Sequence, residues 1–344
     1  MKFKVLFLII FFVNPLIALL NLEDFEDKSI ILEMKQIYLP QHPFAFNPSI
    51  VKWKGEIFLC FREIIPSENY MGSRIGICQL DEKFNPIGCT QVINGIENFG
   101  LQDARLFSLK DRLFLIYSAG CKNLVPIPNQ HSGVNCRMYI AELVFENDQF
   151  IAINNECLSK FENVNSNRAE KNWIPFEYSE NLLFAYTLSP HRILFPHLSE
   201  GKCTTLYETK GNIYWPWGEL RGGSQSILDD DQYISFFHSI SFIKTTHSHG
   251  ENIPHYFIGA YTHSKEPPFE ITAISPHPII GKGFYSGKIY TPYWHPVRVV
   301  FVYGLICEHD CFWISYGRQD HEMWIAKLDK KALLKSLKPI QTEE

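Results

Sequence analysis

LQDARLFSLKDRLFLIYSAG, residues 101–120, is the stretch of sequence that decides the fold. A charged pair, Asp103 and Arg105, opens it, and two apolar runs follow on either side of the polar turn Lys110-Asp111-Arg112. Short runs rich in Leu, Ile, Phe and Tyr around a polar turn are typical of a β-hairpin. The segment therefore predicts two antiparallel strands, with polar residues at the entrance of the first.

The same layout recurs four more times along the chain. The copies are SIVKWKGEIFLCFRE after Asn47-Pro48, WIPFEYSENLLFAYTL after Glu170-Lys171-Asn172, SQSILDDDQYISFFHS after Arg221-Gly222-Gly223, and VRVVFVYGLICEHDCFWISYG from residue 297. A further pair of short strands is expected after each hairpin, which makes one four-stranded blade. Five such units predict an all-β, five-bladed β-propeller with a short C-terminal helix. A β-sandwich is the alternative fold, because short strands with turn signals suit both.

The chain is expected to form one domain, since no Gly/Ser-rich linker divides it. The propeller is assigned to residues 45–329, a lead-in segment to residues 21–44, and a helix with a tail to residues 330–344, where helical periodicity appears. Residues 1–20 place two lysines before an almost wholly apolar run. This pattern is typical of a signal peptide or a signal anchor. The protein is therefore expected to be secreted or in the secretory pathway, with a membrane as partner only if the leader is an uncleaved anchor.

Composition limits the partners and the compartment. The formal net charge is −5 and the basic residues are scattered, so no nucleic-acid partner is expected. Nine cysteines fit an oxidising compartment. Their spacing predicts four disulfides with Cys60 left free: Cys78–Cys89, Cys121–Cys136, Cys157–Cys203 and Cys307–Cys311. The alternative is nine reduced thiols, most of them buried. No metal site is predicted, because the histidines between residues 247 and 263 lack a matched set of Cys or carboxylate ligands.

A propeller brings the polar residues that open each hairpin together, because the innermost strand of every blade lines the central axis. The predicted neighbours at one mouth of the channel are Asn47, Asp103, Lys171, Arg221 and Asp320. Trp217 precedes the pair Gly222-Gly223, and a tryptophan beside a backbone that can approach a ligand closely suits stacking on a sugar.

Six short motifs occur in a fixed order along the chain. They are Asn47-Pro48, Phe61-Arg62-Glu63 with Ser73-Arg74-Ile75-Gly76, Gln102-Asp103-Ala104-Arg105, Lys171-Asn172 before Ile174-Pro175-Phe176, Phe237-His238-Ser239, and Tyr316-Gly317 with Asp320. Together they resemble the β-mannoside phosphorylases of glycoside hydrolase family 130 and related five-bladed propeller mannosyltransferases. The resemblance covers about residues 45–328 and rests on the register of all six motifs.

The resemblance implies an inverting enzyme that acts on a β-mannoside-type oligosaccharide, with one carboxylic acid and with inorganic phosphate as co-substrate and no other cofactor. The family acid falls on Asp103, although Gln102 and Ala104 replace the acidic residue and the proline around it. The resemblance implies that Arg62 and Asp320 bind the sugar; Asn47, Arg105 and Trp217 are further candidate substrate-binding residues, from their positions at the strand entrances and before the glycine pair. The implied phosphate-binding residues are Lys171, Asn172, Arg192, Arg221 and His238.

Two further classes of function remain open at this point. A nucleotide-sugar diphosphate could use the same basic rim, which would make the protein a glycosyltransferase. A propeller that binds glycans without catalysis is the second alternative. If Asp103 is a general acid, its pKa is expected to be raised, because such a group must be protonated when it acts.

Overall fold

The computed structural model describes residues 19–65, 72–120, 136–158, 160–161, 169–287 and 296–340, without the side chains of Cys89, Lys160 and Phe161. Five antiparallel sheets are arranged around one axis, and a single short α-helix follows the last of them. The predicted five-bladed β-propeller with a short C-terminal helix is confirmed. Residues 1–18, which carry most of the predicted leader, lie outside the described part of the chain.

Each of the first three blades is built from consecutive strands, with the innermost strand first. Blade 1 contains β2 (Ala45–Trp53), β3 (Glu56–Ile64), β4 (Ser73–Leu80) and β5 (Pro86–Val92). Blade 2 contains β6 (Gln102–Leu109), β7 (Arg112–Gly120), β8 (Cys136–Glu146) and β9 (Gln149–Cys157). Blade 3 contains β11 (Ile174–Tyr178), β12 (Asn181–Leu188), β13 (His191–His197) and β14 (Lys202–Glu208), with β10 (Lys160–Phe161) parallel to β14 at the outer edge.

Blades 4 and 5 include strands that are distant in sequence. Blade 4 contains β15 (Arg221–Gly222), β16 (Ile227–Asp229), β17 (Gln232–Lys244), β18 (Asn252–Ser264) and β19 (Ile271–Ile274), and β23 (Lys338–Pro339) pairs with β19. Blade 5 contains β20 (Val300–Cys307), β21 (Cys311–Arg318) and β22 (Glu322–Asp329), and its outer strand is β1 (Ile31–Ile37). Helix α1 spans Lys330–Ser336, and single 3₁₀ turns span Leu22–Phe25, Leu198–Glu200 and Thr246–Ser248.

The strand β1 closes the ring, because it pairs antiparallel with β22 from Ile31 opposite Leu328 to Ile37 opposite Met323. It lies within residues 21–44, which the sequence assigned to a lead-in segment. Its burial pattern has only one buried residue, Ile37, so it lacks the near-continuous burial of an inner strand such as β2. The propeller therefore begins before residue 45.

Adjacent blades pack face to face, and the hydrophobic core lies between them rather than in one central mass. One cluster joins Val51 and Ile77 of blade 1 to Leu106 and Leu115 of blade 2. Below the mouth, polar side chains of the innermost strands bridge neighbouring blades: Gln225 Nε2 donates to the Leu305 carbonyl at 2.6 Å. The inner strands are therefore fixed at the axis by hydrogen bonds as well as by apolar packing.

The predicted disulfides are wrong where the structure tests both partners. Cys157, Cys203, Cys307 and Cys311 are free thiols. In the β20–β21 hairpin Cys307 lies opposite Phe312, not Cys311, so the two thiols point to opposite faces of the sheet. Cys78 and Cys136 also carry free thiols, whereas Cys121 and the Cys89 side chain lie outside the described part. Cys60 is a buried free thiol, as predicted.

Among the described residues, no helix is both long enough and apolar enough to cross a membrane.

Candidate functional site

A cavity of about 470 Å³ lies at the mouth of the channel where the first residues of the innermost strands meet. All five blades contribute to its lining. The polar and aromatic lining residues include Asn47, Arg62, Gln102, Asp103, Glu170, Lys171, Asn172, Tyr186, Arg221, His238, Tyr256, Tyr303 and Asp320. The repeat predicted that five residues lie together at one mouth of the channel. All five line this cavity: Asn47, Asp103, Lys171, Arg221 and Asp320.

Backbone irregularities place several of these side chains at the mouth. Asn47, Asp103, Asn172 and Asp320 have φ values of 54°, 53°, 61° and 48°. Asn and Asp tolerate this left-handed region better than other non-glycine residues. The register shifts at Asn47 in the β2–β3 pair and at Asp103 in the β6–β7 pair. A β-bulge redirects a side chain out of the strand alternation, so both residues project at the entrance of their strands.

Asp103 is a partly buried carboxylate among cations. Burial alone would raise the pKa of its carboxyl. The nearby positive charges outweigh burial and hold the pKa below its usual range; they belong to Lys171, Arg62 and Arg105. The Tyr303 hydroxyl also donates to Asp103 Oδ1 at 3.2 Å and lowers the pKa further. The raised pKa expected for a general acid is therefore wrong for the site without substrate.

Asp320 behaves in the opposite way. Burial, and then the negative charge of Asp103, raise the pKa of Asp320 to about 6, against the attraction of Arg62 and a hydrogen bond from Asn47. Two carboxyl groups in one cavity thus have pKa values that are driven apart, which is the usual arrangement where one carboxyl stays ionised and another can carry a proton.

The predicted phosphate-binding residues differ in whether they carry a positive charge. Lys171 Nζ donates to Gln102 Oε1, and Arg221 is half-exposed and paired with Glu219 at 2.9 Å. Both lie on the cavity and can offer positive charge to an anion. His238 cannot, because burial and the charge of Arg221 lower its pKa to about 3.

The neutral His238 ring has a defined hydrogen-bonding role. Its Nδ1 lies 2.7 Å from the Gly222 carbonyl oxygen, so Nδ1 carries the hydrogen and Nε2 is left as an acceptor. The ring stacks on Tyr256, with the centroids 5.7 Å apart. His238 can therefore accept a hydrogen bond from a ligand hydroxyl, but it does not present a cation to phosphate.

Three predicted site residues do not line the cavity. Arg105 is fully buried and donates to the carbonyl oxygens of Gly223 at 2.6 Å and Asp103 at 2.9 Å, so it supports the bulge from below. Arg192 lies on the third strand of blade 3, and its Nη2 donates to Thr205 Oγ1 at 2.6 Å. Trp217 packs against Phe25 and Phe257 beside blade 4, in the hydrophobic core.

Several lining residues were not predicted from the sequence. Glu170 accepts hydrogen bonds from Trp173 Nε1 at 3.2 Å and from the Tyr186 hydroxyl at 3.3 Å. Its position before an apolar strand was a usable signal, because a charged residue there needs water or partners. The sequence does not indicate that Tyr256 and Tyr303 line a site, because an aromatic residue within an apolar run is usually part of the hydrophobic core.

No cluster of three or more His, Cys, Asp or Glu side chains suited to a metal ion occurs in the described part of the chain. The side chains that line the cavity include carboxylates, cations and aromatic rings.

Comparison with known proteins identifies the fold through solved structures. No family model matches the sequence, and no curated protein matches it either. A β-1,2-mannobiose phosphorylase from Listeria innocua, solved with β-1,2-mannobiose, is 15% identical with a TM-score of 0.58, covering 90% of this chain and 97% of that chain.

Two other solved structures match the chain with similar sequence identity, coverage and TM-score. The mannose phosphorylase MPT-4 from Leishmania mexicana, solved with phosphate, is 12% identical with a TM-score of 0.57, covering 90% of this chain and 92% of that one. A member of family GH130, described among glycoside hydrolases that target β-1,2 mannosidic linkages in Candida mannan, is 13% identical with a TM-score of 0.58, covering 88% and 87%. At these identities the similarity establishes the shared propeller.

Proposed function

We propose that the protein is a carbohydrate-active enzyme that cleaves a β-mannoside-type oligosaccharide by inverting phosphorolysis or hydrolysis. The observation that carries the proposal is the pair of partly buried carboxyl groups, Asp103 and Asp320, that face one cavity beside Lys171 and Arg62. The mannosides and the phosphate named for the structurally similar proteins support this choice of substrate class.

Asp103 is the proposed proton donor. Its proton passes to the glycosidic oxygen as the bond from that oxygen to the anomeric carbon breaks. In phosphorolysis a phosphate oxygen bonds to the same carbon from the opposite face, which gives a sugar 1-phosphate of inverted configuration and a shortened oligosaccharide. Because phosphate is its own nucleophile, this reaction needs no second carboxylate as base, whereas inverting hydrolysis does.

The lowered pKa of Asp103 is compatible with this role if phosphate binds first. Lys171 is the strongest of the charges that lower the pKa of Asp103. A phosphate dianion bound by Lys171 and Arg221 would offset that positive field, so the pKa of Asp103 would rise when the co-substrate is present. Arg62, Asn47 and Asp320 are the proposed contacts to the sugar, and Asn172 completes the phosphate side.

The experiment compares the wild type with Asp103→Asn on β-mannobiose with and without inorganic phosphate. We expect phosphate-dependent formation of a sugar 1-phosphate by the wild type. The variant keeps the size of the side chain but loses the transferable proton, so turnover falls by about 10²–10⁴-fold. Calorimetry should show that the sugar still binds. Asp111→Asn, in the exposed turn at the other end of the same hairpin, is the matched control and should keep full activity.

Each other outcome identifies a different function. Wild-type turnover by Asp103→Asn would show that the acid assignment is wrong. Release of free mannose without phosphate would favour hydrolysis. Consumption of a nucleotide-mannose donor in place of mannobiose would favour the glycosyltransferase, and binding without any turnover would favour the glycan-binding propeller.

A further inference from the structure

The β17–β18 hairpin continues beyond the propeller at the cavity end. The inner strand β15 pairs with β17 only as far as Arg221 opposite His238. Past that point, residues 239–244 of β17 and 252–257 of β18 keep pairing with each other, up to Lys244 opposite Asn252. These two runs, here named the hairpin extension, therefore rise above the mouth of the channel.

One face of the hairpin extension is covered by the protein. Ser239 Oγ donates to the Trp217 carbonyl at 2.6 Å, and Phe257 is fully buried with its ring 5.0 Å from that of Trp217. His255 is also fully buried and hydrogen-bonds Thr245 at 2.9 Å. This face is thus part of the core and is not available to a ligand.

The opposite face continues the wall of the cavity. Side chains alternate along a strand, so Ile240 and Phe242 lie on the same face as His238, which lines the cavity. Across the pair, Ile240 lies opposite Tyr256, another lining residue, and Phe242 lies opposite Pro254. Phe242 is 65% exposed and lies about 13 Å beyond His238 at the usual rise per strand residue.

The strip formed by Tyr256, Ile240, Phe242 and Pro254 has the chemistry of a sugar platform. An aromatic ring offers its face to the apolar C–H surface of a pyranose, and it loses little conformational entropy when it does so. The strip is continuous with the cavity, and the cavity holds the carboxylates and cations. A single ring held at Asp103 and Asp320 would not reach Phe242, whereas a longer chain leaving the cavity on this side would cross it.

We propose that the hairpin extension binds the second and later sugar rings of an oligosaccharide whose terminal ring fills the cavity, and that Phe242 sets the preference for substrate length. The proposal rests on the proposed function, since it takes the cavity as the site of the terminal sugar. It names the substrate as an oligosaccharide chain longer than a disaccharide.

The test compares Phe242→Ala with Phe145→Ala on a β-linked mannobiose and a mannotetraose. Phe145 is also an exposed phenylalanine, at 54%, but it lies near the β8–β9 turn at the other end of the propeller. Phe242→Ala should lower kcat/KM for the tetrasaccharide by about 5- to 10-fold, the range of one aromatic contact, through KM. The disaccharide should be unaffected by either variant, and Phe242→Trp should restore the preference for the longer chain.

The outcomes separate this proposal from the proposed function. If the wild type turns over neither sugar, the same two ligands are titrated by calorimetry. Tighter binding of the tetrasaccharide that Phe242→Ala removes would still support the platform, and equal binding would overturn it. Equal losses on both substrates, or no loss on either, would also overturn it. Loss of binding to anionic phospholipid vesicles, with the length preference unchanged, would overturn it in favour of a membrane contact.

Discussion

Asp103 and Asp320 share a cavity but respond to it in opposite ways. Asp103 is surrounded by cations that favour its charged form, whereas Asp320 is desolvated and faces the negative charge of Asp103. Removing the charge of each residue should therefore change the stability of the protein in opposite directions. The pH at which each change appears follows from the direction of its pKa shift.

Asp320→Asn should stabilise the protein without ligand at pH 7.5. The folded-state pKa of Asp320 is about 6, above the ordinary value of 3.8, so its stabilising contribution is complete below pH 3.8 and is lost as the pH rises through 6. At pH 7.5 the partly buried carboxylate costs on the order of 1–3 kcal/mol, which asparagine would remove. Calorimetric Tm values at pH 7.5 and pH 4.5 measure the gain, and it should be clearly smaller at pH 4.5.

Asp103→Asn should have the reverse effect. Its folded-state pKa is lowered, so its contribution is present above the unfolded pKa and is lost as the pH falls through the folded value. At pH 7.5 the variant leaves the neighbouring cations without their counter-charge, and Tm should fall. The same calorimetric series checks this: a rise in Tm for Asp103→Asn would contradict the assignment for Asp103, and a fall for Asp320→Asn would contradict the assignment for Asp320.

The positions of the site residues were most predictable where a residue opens an innermost strand. Asn47, Asp103 and Lys171 come to one cavity because the propeller repeats its geometry. Arg192 lies outside the cavity, on β13, and no local pattern in the sequence indicates this. The charge state of His238 was not predictable, because it depends on burial and on Arg221, and neither can be read from the sequence.

At the scale of elements, close approach between two blades fixes the floor of the cavity. A Cβ atom added to Gly222 would lie 1.8 Å from the carbonyl oxygen of Asn172. The sequence suggested that this glycine leaves room for a ligand, but a neighbouring backbone fills the space beside it. Asn172 Oδ1 in turn accepts a hydrogen bond from Arg105 at 3.1 Å, so the contact joins blades 2, 3 and 4.

Gly222→Ala should force blades 3 and 4 apart. Overpacking of this kind costs about 1–3 kcal/mol, and the shift of Asn172 should also reduce turnover. Denaturant unfolding and kinetics on the same variant measure both effects. Gly211→Ala is the control, because its added methyl group meets no atom within 4 Å, although its φ of 91° adds local strain. A larger loss of stability at Gly211 would show that crowding at Gly222 is not the cause.

The hairpins were the most predictable elements, because two apolar runs around a polar turn specify their own pairing. Strands that pair with distant parts of the chain were not predictable in the same way. The edge strands β10 and β23 have two residues each, and β1 buries one. Their positions are set by partners that no local pattern identifies. The disulfide prediction was wrong for a similar reason, because the spacing of two cysteines in the sequence does not determine the face of the sheet on which each side chain lies.

On the scale of the whole molecule, β1 completes the last blade by pairing with β22. Ile37 is the buried residue of β1 and lies opposite Met323, in the cluster that joins blade 5 to blade 1. Ile37→Ala should therefore destabilise the complete propeller by about 2–4 kcal/mol. Urea unfolding should show this as one cooperative transition at a lower midpoint.

Glu33→Ala is the control for that prediction. Glu33 lies on the same strand and its side chain is exposed, so its loss should change the midpoint little. If Ile37→Ala gave two transitions, with most of the signal unfolding at the wild-type midpoint, β1 would be an appendage and the ring would be closed by other contacts.

Pairing of β1 with β22 also orders events during synthesis of the chain. The strand β1 is synthesised before its partner β22, which ends at Asp329. Until then β1 has no place in a sheet, and the facing side of blade 1 lacks its neighbour. Between the synthesis of β1 and that of β22 the nascent chain therefore carries an open strand edge, which is a site for mispairing between chains. The pairing of β1 with β22 must wait until β22 has been made.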